Sequence, residues 1–360
     1  MAPERAERAG GGPVGVAVVG AGYWGPNLIR NLASLPECRL VAVCDLDVER
    51  LDPIARELGV WTTTSLEELL AERSVEAVAI ATPAATHRQV AEAALRAGRH
   101  VLVEKPLATD PADAAALVAC ARARRRVLMV GHLFAYAPAV ARLAGLIAQG
   151  TIGELCYVHG VRTSMSGTAR LDTGITWDAL IHDAYLLPML VGRRPIRVAA
   201  SGSAYLSPGL EDVVFANLDF GQGVIAACYV SWYALEKARR YTVVGSRGIL
   251  VYDDLVAPHL QLYDRRYERP GGRGRWQWHD GGARAIDVPV VEPLRAQCQH
   301  FLACIRDHRT PLTDGQAGLE AVRLVHAFQT SLGQGGAWVD CRPHRRLSTS
   351  EEVARVHGRV

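Results

Sequence analysis

VGVAVVGAGYWG, residues 14–25, runs six unbroken apolar positions into three glycines spaced as Gly20-x-Gly22-x-x-Gly25. A strand-to-helix turn around a pyrophosphate needs this spacing: one glycine for the sharp turn, one so that backbone amides reach the phosphates, one for close packing of helix on sheet. The bare pattern is weak, but here apolar strand residues precede it and Leu28, Leu32 and Leu35 follow at helical spacing. Tyr23 and Trp24 lie inside the loop and are taken with the glycines as cofactor contacts. Asp45 ends the next apolar run, twenty residues past Gly25, where a carboxylate would accept the adenosine ribose hydroxyls and repel a 2′-phosphate. The expected cofactor is therefore NAD, with NADP left open by the nearby Arg50.

Outward from this loop the pattern repeats. Apolar runs at 14–19, 40–44, 76–81, 100–103 and 127–130 alternate with helical stretches near 25–34, 47–58, 86–97 and 110–124, the mark of a doubly wound parallel sheet. After Gly131 the character changes. A helix near 138–149 leads into runs rich in Thr, Tyr and Val at 154–165, 195–206, 212–220, 223–232, 239–245 and 248–253, several joined by short turns, which predicts a large, mostly antiparallel sheet. One apolar helix from about 176 to 191 interrupts it, and two helices near 292–307 and 314–331 close the chain. The stretch 263–282, rich in Arg, Gly and aromatics, lacks either periodicity and is read as a solvated loop, with a clamp for an anionic group as the alternative. The domain expectation is an arm at 1–13, a Rossmann domain at 14–133, an α+β domain at 134–345 and a peripheral tail at 346–360.

A net charge of +3, with both signs interleaved along 360 residues, gives no footprint for nucleic acid. No apolar run is long enough to span a bilayer and the first 13 residues contain no apolar signal core, so a cytoplasmic chain is expected. The eight cysteines show no C-x-x-C pair or Cys/His cluster and read as reduced thiols, with no metal site. Of the 40 basic residues only two are lysines, Lys105 and Lys237. Lysine can be tuned to exchange a proton near neutral pH and arginine cannot, so a lysine retained in Glu104-Lys105-Pro106 raises a chemical question.

Taken in order, Gly20-x-Gly22-Tyr23-Trp24-Gly25, Ala81-Thr82-Pro83 with His87, Glu104-Lys105-Pro106, and Trp177-Asp178-x-x-x-His182-Asp183 resemble the glucose-fructose oxidoreductase / inositol dehydrogenase (Gfo/Idh/MocA) family. The match spans nearly the whole chain, and Pro311-Leu312-Thr313-Asp314-Gly315 resembles the branch acting on nucleotide-linked and related sugars. The resemblance implies a Rossmann domain followed by an α+β domain whose open sheet forms homodimers or homotetramers. It also implies hydride transfer at a secondary alcohol of a sugar or cyclitol. Position by position, it makes Lys105 the contact of the reacting hydroxyl and Asp178 and His182 the acid/base pair. Thr82, Pro83, His87, Glu104 and Trp177 would border the cofactor. This chain departs from close relatives in Asp172-Thr173-Gly174-Ile175-Thr176 and in Ile181 before His182, a region that faces substrate in the family.

The residues support that chemistry on their own terms. Oxidising an alcohol with NAD leaves a hydroxyl proton to be removed, so a base and a polarising cation are required. Asp178 and His182, four apart on a helix, share one face; with Thr176 as N-cap, an ionised Asp178 would orient the imidazole. His182 is then the proton acceptor and Lys105 the donor to the alcohol oxygen, with Lys105 as base the alternative. His132 and Tyr136, just past the last parallel strand, either touch substrate or pack at the junction, and Arg162 and Arg170 are candidate contacts for a substrate phosphate. Two other readings stay open: an NAD-binding sugar or redox regulator without turnover, and a glycoside-cleaving enzyme that holds NAD tightly.

Overall fold

The computed structural model describes residues 12–165, 173–269 and 274–342. Strands β1 (Val14–Val19), β2 (Cys38–Cys44), β3 (Trp61–Thr63), β4 (Ala77–Ile80), β5 (His100–Glu104) and β6 (Leu128–Gly131) form a parallel sheet in the order β3-β2-β1-β4-β5-β6. The order reverses between β1 and β4, and in such sheets ligands bind beyond the carboxyl ends of the strands at that switch. Helices α1 (Gly25–Ala33), α2 (Val48–Leu58), α3 (Leu66–Ala71), α4 (His87–Arg96) and α5 (Pro111–Arg124) connect the strands. Covered on both faces, β1 and β4 are buried at every residue, which is why they read as unbroken apolar runs and not as alternations. Side chains of Asp47, Ser65 and Asp110 accept first-turn amides and fix where α2, α3 and α5 begin.

The second half opens with α6 (Pro138–Ala148) and builds a nine-stranded sheet. Its strands are β7 (Leu155–Thr163), β8 (Arg197–Ser203), β9 (Val213–Asp219), β10 (Ile225–Ser231), β11 (Ala238–Gly245), β12 (Gly248–Asp253), β13 (Leu260–Glu268), β14 (Gln277–Ala285) and β15 (Val339–Asp340). The order is β14-β13-β12-β11-β7-β10-β9-β8-β15, and only β7 and β10 pair in parallel. Alternation does its work here: Val214, Ala216 and Leu218 of β9 are buried, while Phe215 between them is exposed. Helices α7 (Ile181–Val191) and α9 (Gly315–Gly333) lie against the buried face, and α7 carries Leu186 and Leu187 into the core.

Helix α8 (Pro293–Arg306) returns to the first sheet. Its Leu294, Cys298, Phe301 and Leu302 pack with Val16, Val18, Leu28 and Leu32, and Glu292 before it accepts hydrogen bonds from Arg30 and Asn31 of α1. The start of α9 is tied to β6, where Val130 N donates to Thr313 O at 2.8 Å and Thr313 Oγ1 donates back to Val130 O at 2.7 Å. These contacts hold the two sheets in fixed relation, with the carboxyl ends of the parallel strands facing the second half.

Two expectations are corrected. The stretch 263–282 is not simply a solvated loop: residues 263–268 and 277–282 belong to the strands β13 and β14 that pair at the sheet edge, where most side chains are open to solvent and no apolar alternation is imposed. Thr176 is not an N-cap. It begins a π-helical turn, Thr176–Leu180, which follows Ile175 without a side-chain cap, and Thr176 itself is fully buried. The arm before residue 12, the tail after 342 and Arg170 lie outside the described residues.

Phe301 is fully buried between α1 and the first sheet. Phe301→Ala is expected to cost ~3–5 kcal/mol; urea denaturation measures it, and a midpoint equal to wild type would contradict the packing described.

Candidate active site

The glycine loop is set by close contacts. Gly20 has φ +99°, and a Cβ there would lie 2.6 Å from the Ala81 carbonyl carbon; a Cβ at Gly25 would lie 2.0 Å from Gly20 O. At Gly22 the nearest atom to such a Cβ is a terminal nitrogen of Arg50 at 3.4 Å, so this side of the loop is open. The turn therefore excludes side chains where strand and helix meet and leaves the backbone bare where a pyrophosphate would approach, which fits a dinucleotide. Asp45 at the end of β2 accepts from Ala21 N at 2.6 Å and from Asp47 N at 2.9 Å, holding the loop against β2. Arg50 lies 3.1 Å from Asp47 and 3.7 Å from Asp45, so two carboxylates already balance its charge. That balance favours NAD over a 2′-phosphorylated cofactor. Tyr23 is 85% exposed at the loop tip.

From this loop a series of bonds leads to Lys105. Trp24 Nε1 donates to Glu104 Oε1 at 2.8 Å, and Lys105 N donates to Glu104 Oε2 at 3.3 Å. The Lys105-Pro106 bond is cis. Buried His87, at the start of α4, bridges two loops: its Nδ1 is 2.6 Å from Pro106 O and its Nε2 is 2.9 Å from Thr82 O. His87 thus acts behind the loops and fixes Thr82, Pro83 and Lys105 relative to one another. Pro83 and Trp177 line a cleft of about 380 Å³ with Gly174 and Gln329.

Lys105 Nζ donates to Asp178 Oδ1 at 2.9 Å and to Asp178 O at 2.7 Å. An ammonium has three N–H donors, and this leaves one for a substrate. The spacing of Asp178 and His182 predicts an Asp–His pair; the fold also brings Lys105, 73 residues away, to the Asp178 carboxylate. His182 is half-buried and meets Phe134 edge-on, with ring centroids 4.9 Å apart. Burial pushes its pKa well below the usual histidine value, and the charges of Lys105 and Arg162 push the same way. The imidazole is consequently neutral at physiological pH and able to accept a proton.

Around this pair stands a cationic wall that the sequence reading only partly identified. Arg162 lies 4.4 Å over the Phe134 ring and Arg239 5.8 Å from it. Burial works against the charge on Arg162, but Asp183 at 3.6 Å and Tyr241, 3.4 Å away, more than offset it and keep the guanidinium charged. Tyr241 in turn donates to buried Asp183. Asp183 thus balances the charge of Arg162, whose Nε is buried without a hydrogen-bond partner among the described residues. Asp183 belongs to the motif around His182, but its partners on β7 and β11 are visible only in the fold. His132 is fully buried and stacked on Tyr185 at 4.3 Å; burial and Lys105 push its pKa down to about 3. Tyr136 packs at the junction, with its hydroxyl 3.0 Å from Thr313 Oγ1. Among the described residues no group of three His, Cys, Asp or Glu could hold a metal ion, and no helix is long and apolar enough to cross a membrane.

Fold and loops define a dinucleotide-binding oxidoreductase. Comparison with known proteins makes the class specific: residues 14–132 match the oxidoreductase family with NAD-binding Rossmann fold, and residues 140–251 match the Gfo/Idh/MocA C-terminal domain. The chain is similar to UDP-N-acetylglucosamine 3-dehydrogenase of Acidithiobacillus ferrooxidans, 32% identical over 302 residues that cover 84% of this chain and 91% of the relative. A solved structure of that enzyme superposes with a TM-score of 0.77 at 30% identity, covering 89% of this chain and 98% of the other. GenD2 from gentamicin A biosynthesis, solved in complex with NAD, superposes with a TM-score of 0.79 at 27% identity, covering 95% and 100%. The chain belongs to the Gfo/Idh/MocA oxidoreductase family.

Asp45 positions the glycine loop at the carboxyl end of β2, where the fold class places the adenosine ribose. Asp45→Ala is expected to weaken NAD at least about tenfold, the worth of a charge-assisted hydrogen bond, and to narrow the preference over NADP. Fluorescence titration with each cofactor measures both, and unchanged NAD affinity would contradict the assignment.

Proposed function

We propose that the chain transfers hydride reversibly between NAD and a secondary alcohol carbon of a sugar. The observation that carries this reading is a neutral, half-buried His182 beside a lysine with one N–H to spare, at the carboxyl end of a sheet bearing a dinucleotide loop. NAD, when bound, supplies the hydride acceptor. Lys105 directs its remaining N–H to the alcohol oxygen and stabilises the charge that develops there. His182 takes the hydroxyl proton; in the reductive direction it returns that proton to the carbonyl oxygen. Asp178, through its carboxylate and its backbone carbonyl, fixes the ammonium. Two N–H groups already committed to Asp178 favour Lys105 as polarising cation over Lys105 as base.

Among sugars, the names of the similar proteins favour a nucleotide-linked sugar or a sugar unit of a glycosylated natural product such as an aminoglycoside, ahead of a cyclitol. We further infer a homodimer or homotetramer through the open face of the second sheet. Tyr157, Phe215 and Ile225 are exposed there on adjacent strands, and Phe215 stacks on Tyr229 at 4.7 Å.

The test follows NADH absorbance with purified protein, NAD and a panel of nucleotide sugars, aminoglycosides, free sugars and cyclitols. A substrate-dependent rise is expected, and Lys105→Met and His182→Ala should each lower kcat by ~10²–10⁴-fold while NAD affinity holds. A base must be deprotonated to act, so kcat/KM for oxidation falls on the acid side; the depressed pKa of His182 places that fall below about pH 6.5, the ordinary histidine value. Full activity in either variant would overturn the roles.

A further inference from the structure

A cavity of about 480 Å³ lies at the opposite, amino end of the parallel strands, between the end of α5, the starts of β5 and β6, and the segment 308–316. Its lining carries four arginines and two histidines, Arg122, Arg125, Arg126, Arg309, His100 and His308, against one acidic residue, Asp314, and the neutral Thr310 and Gln316. His100 begins β5 and Lys105 follows its end, so the cavity and the redox site are ~16 Å apart along the strand, at about 3.3 Å per residue. This is not an extension of the site described above.

The charges in the cavity are not balanced from within. Arg122, Arg125 and Arg126 make no ion pair with any described residue, and Arg309 alone has a carboxylate, that of Asp307 at 2.8 Å. Arg126 Nε is buried without a hydrogen-bond partner among the described residues. The one acidic group lining the cavity, Asp314, is directed to Ala317 N at 2.8 Å as the cap of α9. His100 Nδ1 accepts from Val127 N at 3.0 Å; its pKa is pushed down to about 4, by burial first and then by Arg126 and His308. Arg125 and His308 hold left-handed backbone conformations, with φ +51° and +52°. Uncompensated cations around a concave space repel one another, and a multiply charged anion relieves that repulsion.

We propose that this cavity binds a small anion bearing a diphosphate group. Guanidinium groups pair with phosphate oxygens in a bidentate manner, three of them here lack an ionic partner among the described residues, and the volume lies in the ~300–1,000 Å³ range of small-molecule sites. A diphosphate supplies enough negative charge and enough acceptor oxygens for Arg122, Arg125 and Arg126 together; a single carboxylate does not.

Isothermal titration with pyrophosphate and with ADP, on full-length protein saturated with NAD so that the glycine loop is filled, tests this. One saturable site per chain is expected, weakened at least about tenfold by Arg122→Gln/Arg126→Gln, with NAD affinity unchanged. Arg125→Gln, at an exposed position, gives the same direction of change if the double variant folds poorly. Equal affinity for the two probes would assign recognition to the diphosphate alone, and tighter ADP would assign a nucleoside diphosphate. No saturable binding of either probe, or binding that neither variant weakens, would overturn the proposal.

Discussion

The contact between Lys105 and Asp178 is the point on which the rest of the site depends. Lys105 leaves β5 on the cofactor side, and Asp178 sits in the π-helical turn that leads into α7 on the other. Their two hydrogen bonds join the halves at the carboxyl end of the parallel sheet, where we propose that the chemistry occurs. On the cofactor side the lysine is not isolated: Trp24 holds Glu104, Glu104 holds the Lys105 amide, and His87 spans Pro106 and Thr82. A displacement of the glycine loop would thus be felt at the ammonium through a short series of bonds.

The same arrangement sets the protonation state of His182. Burial, Lys105 and Arg162 all disfavour the imidazolium. Arg162 stays charged because Asp183 and Tyr241 accompany it into the interior, and a buried pair of this kind is costly to break from one side, by ~3–5 kcal/mol. The fold therefore retains two cations near a neutral base, an environment that also stabilises an alkoxide.

Much of this was legible in the sequence, for identifiable reasons. Strands β1 and β4 are apolar along their whole length because both faces are covered, and the glycine spacing gains its meaning from the strand before it and the helix after it. The three-residue β3 and six-residue α3 are too short for a period to register, and the β13–β14 edge imposes none. Spacing placed Asp178 and His182 on one helix but could not show that Lys105 would be brought to Asp178. Nor does anything in Gly131-His132-Leu133-Phe134 announce that Phe134 lies against Arg162 and Arg239, or that His132 lies buried against Tyr185; these contacts come from strands and helices distant in the chain.

Asp178→Asn tests the central claim most directly. It preserves the shape and the backbone carbonyl while removing the charge that holds the ammonium. Steady-state kinetics with NAD and a turned-over sugar, alongside NAD titration, should give kcat reduced at least ~10-fold, the worth of a charge-assisted hydrogen bond, with NAD affinity intact. Wild-type kcat in that variant would contradict the account, since the Lys105–Asp178 contact could then not be what positions the lysine.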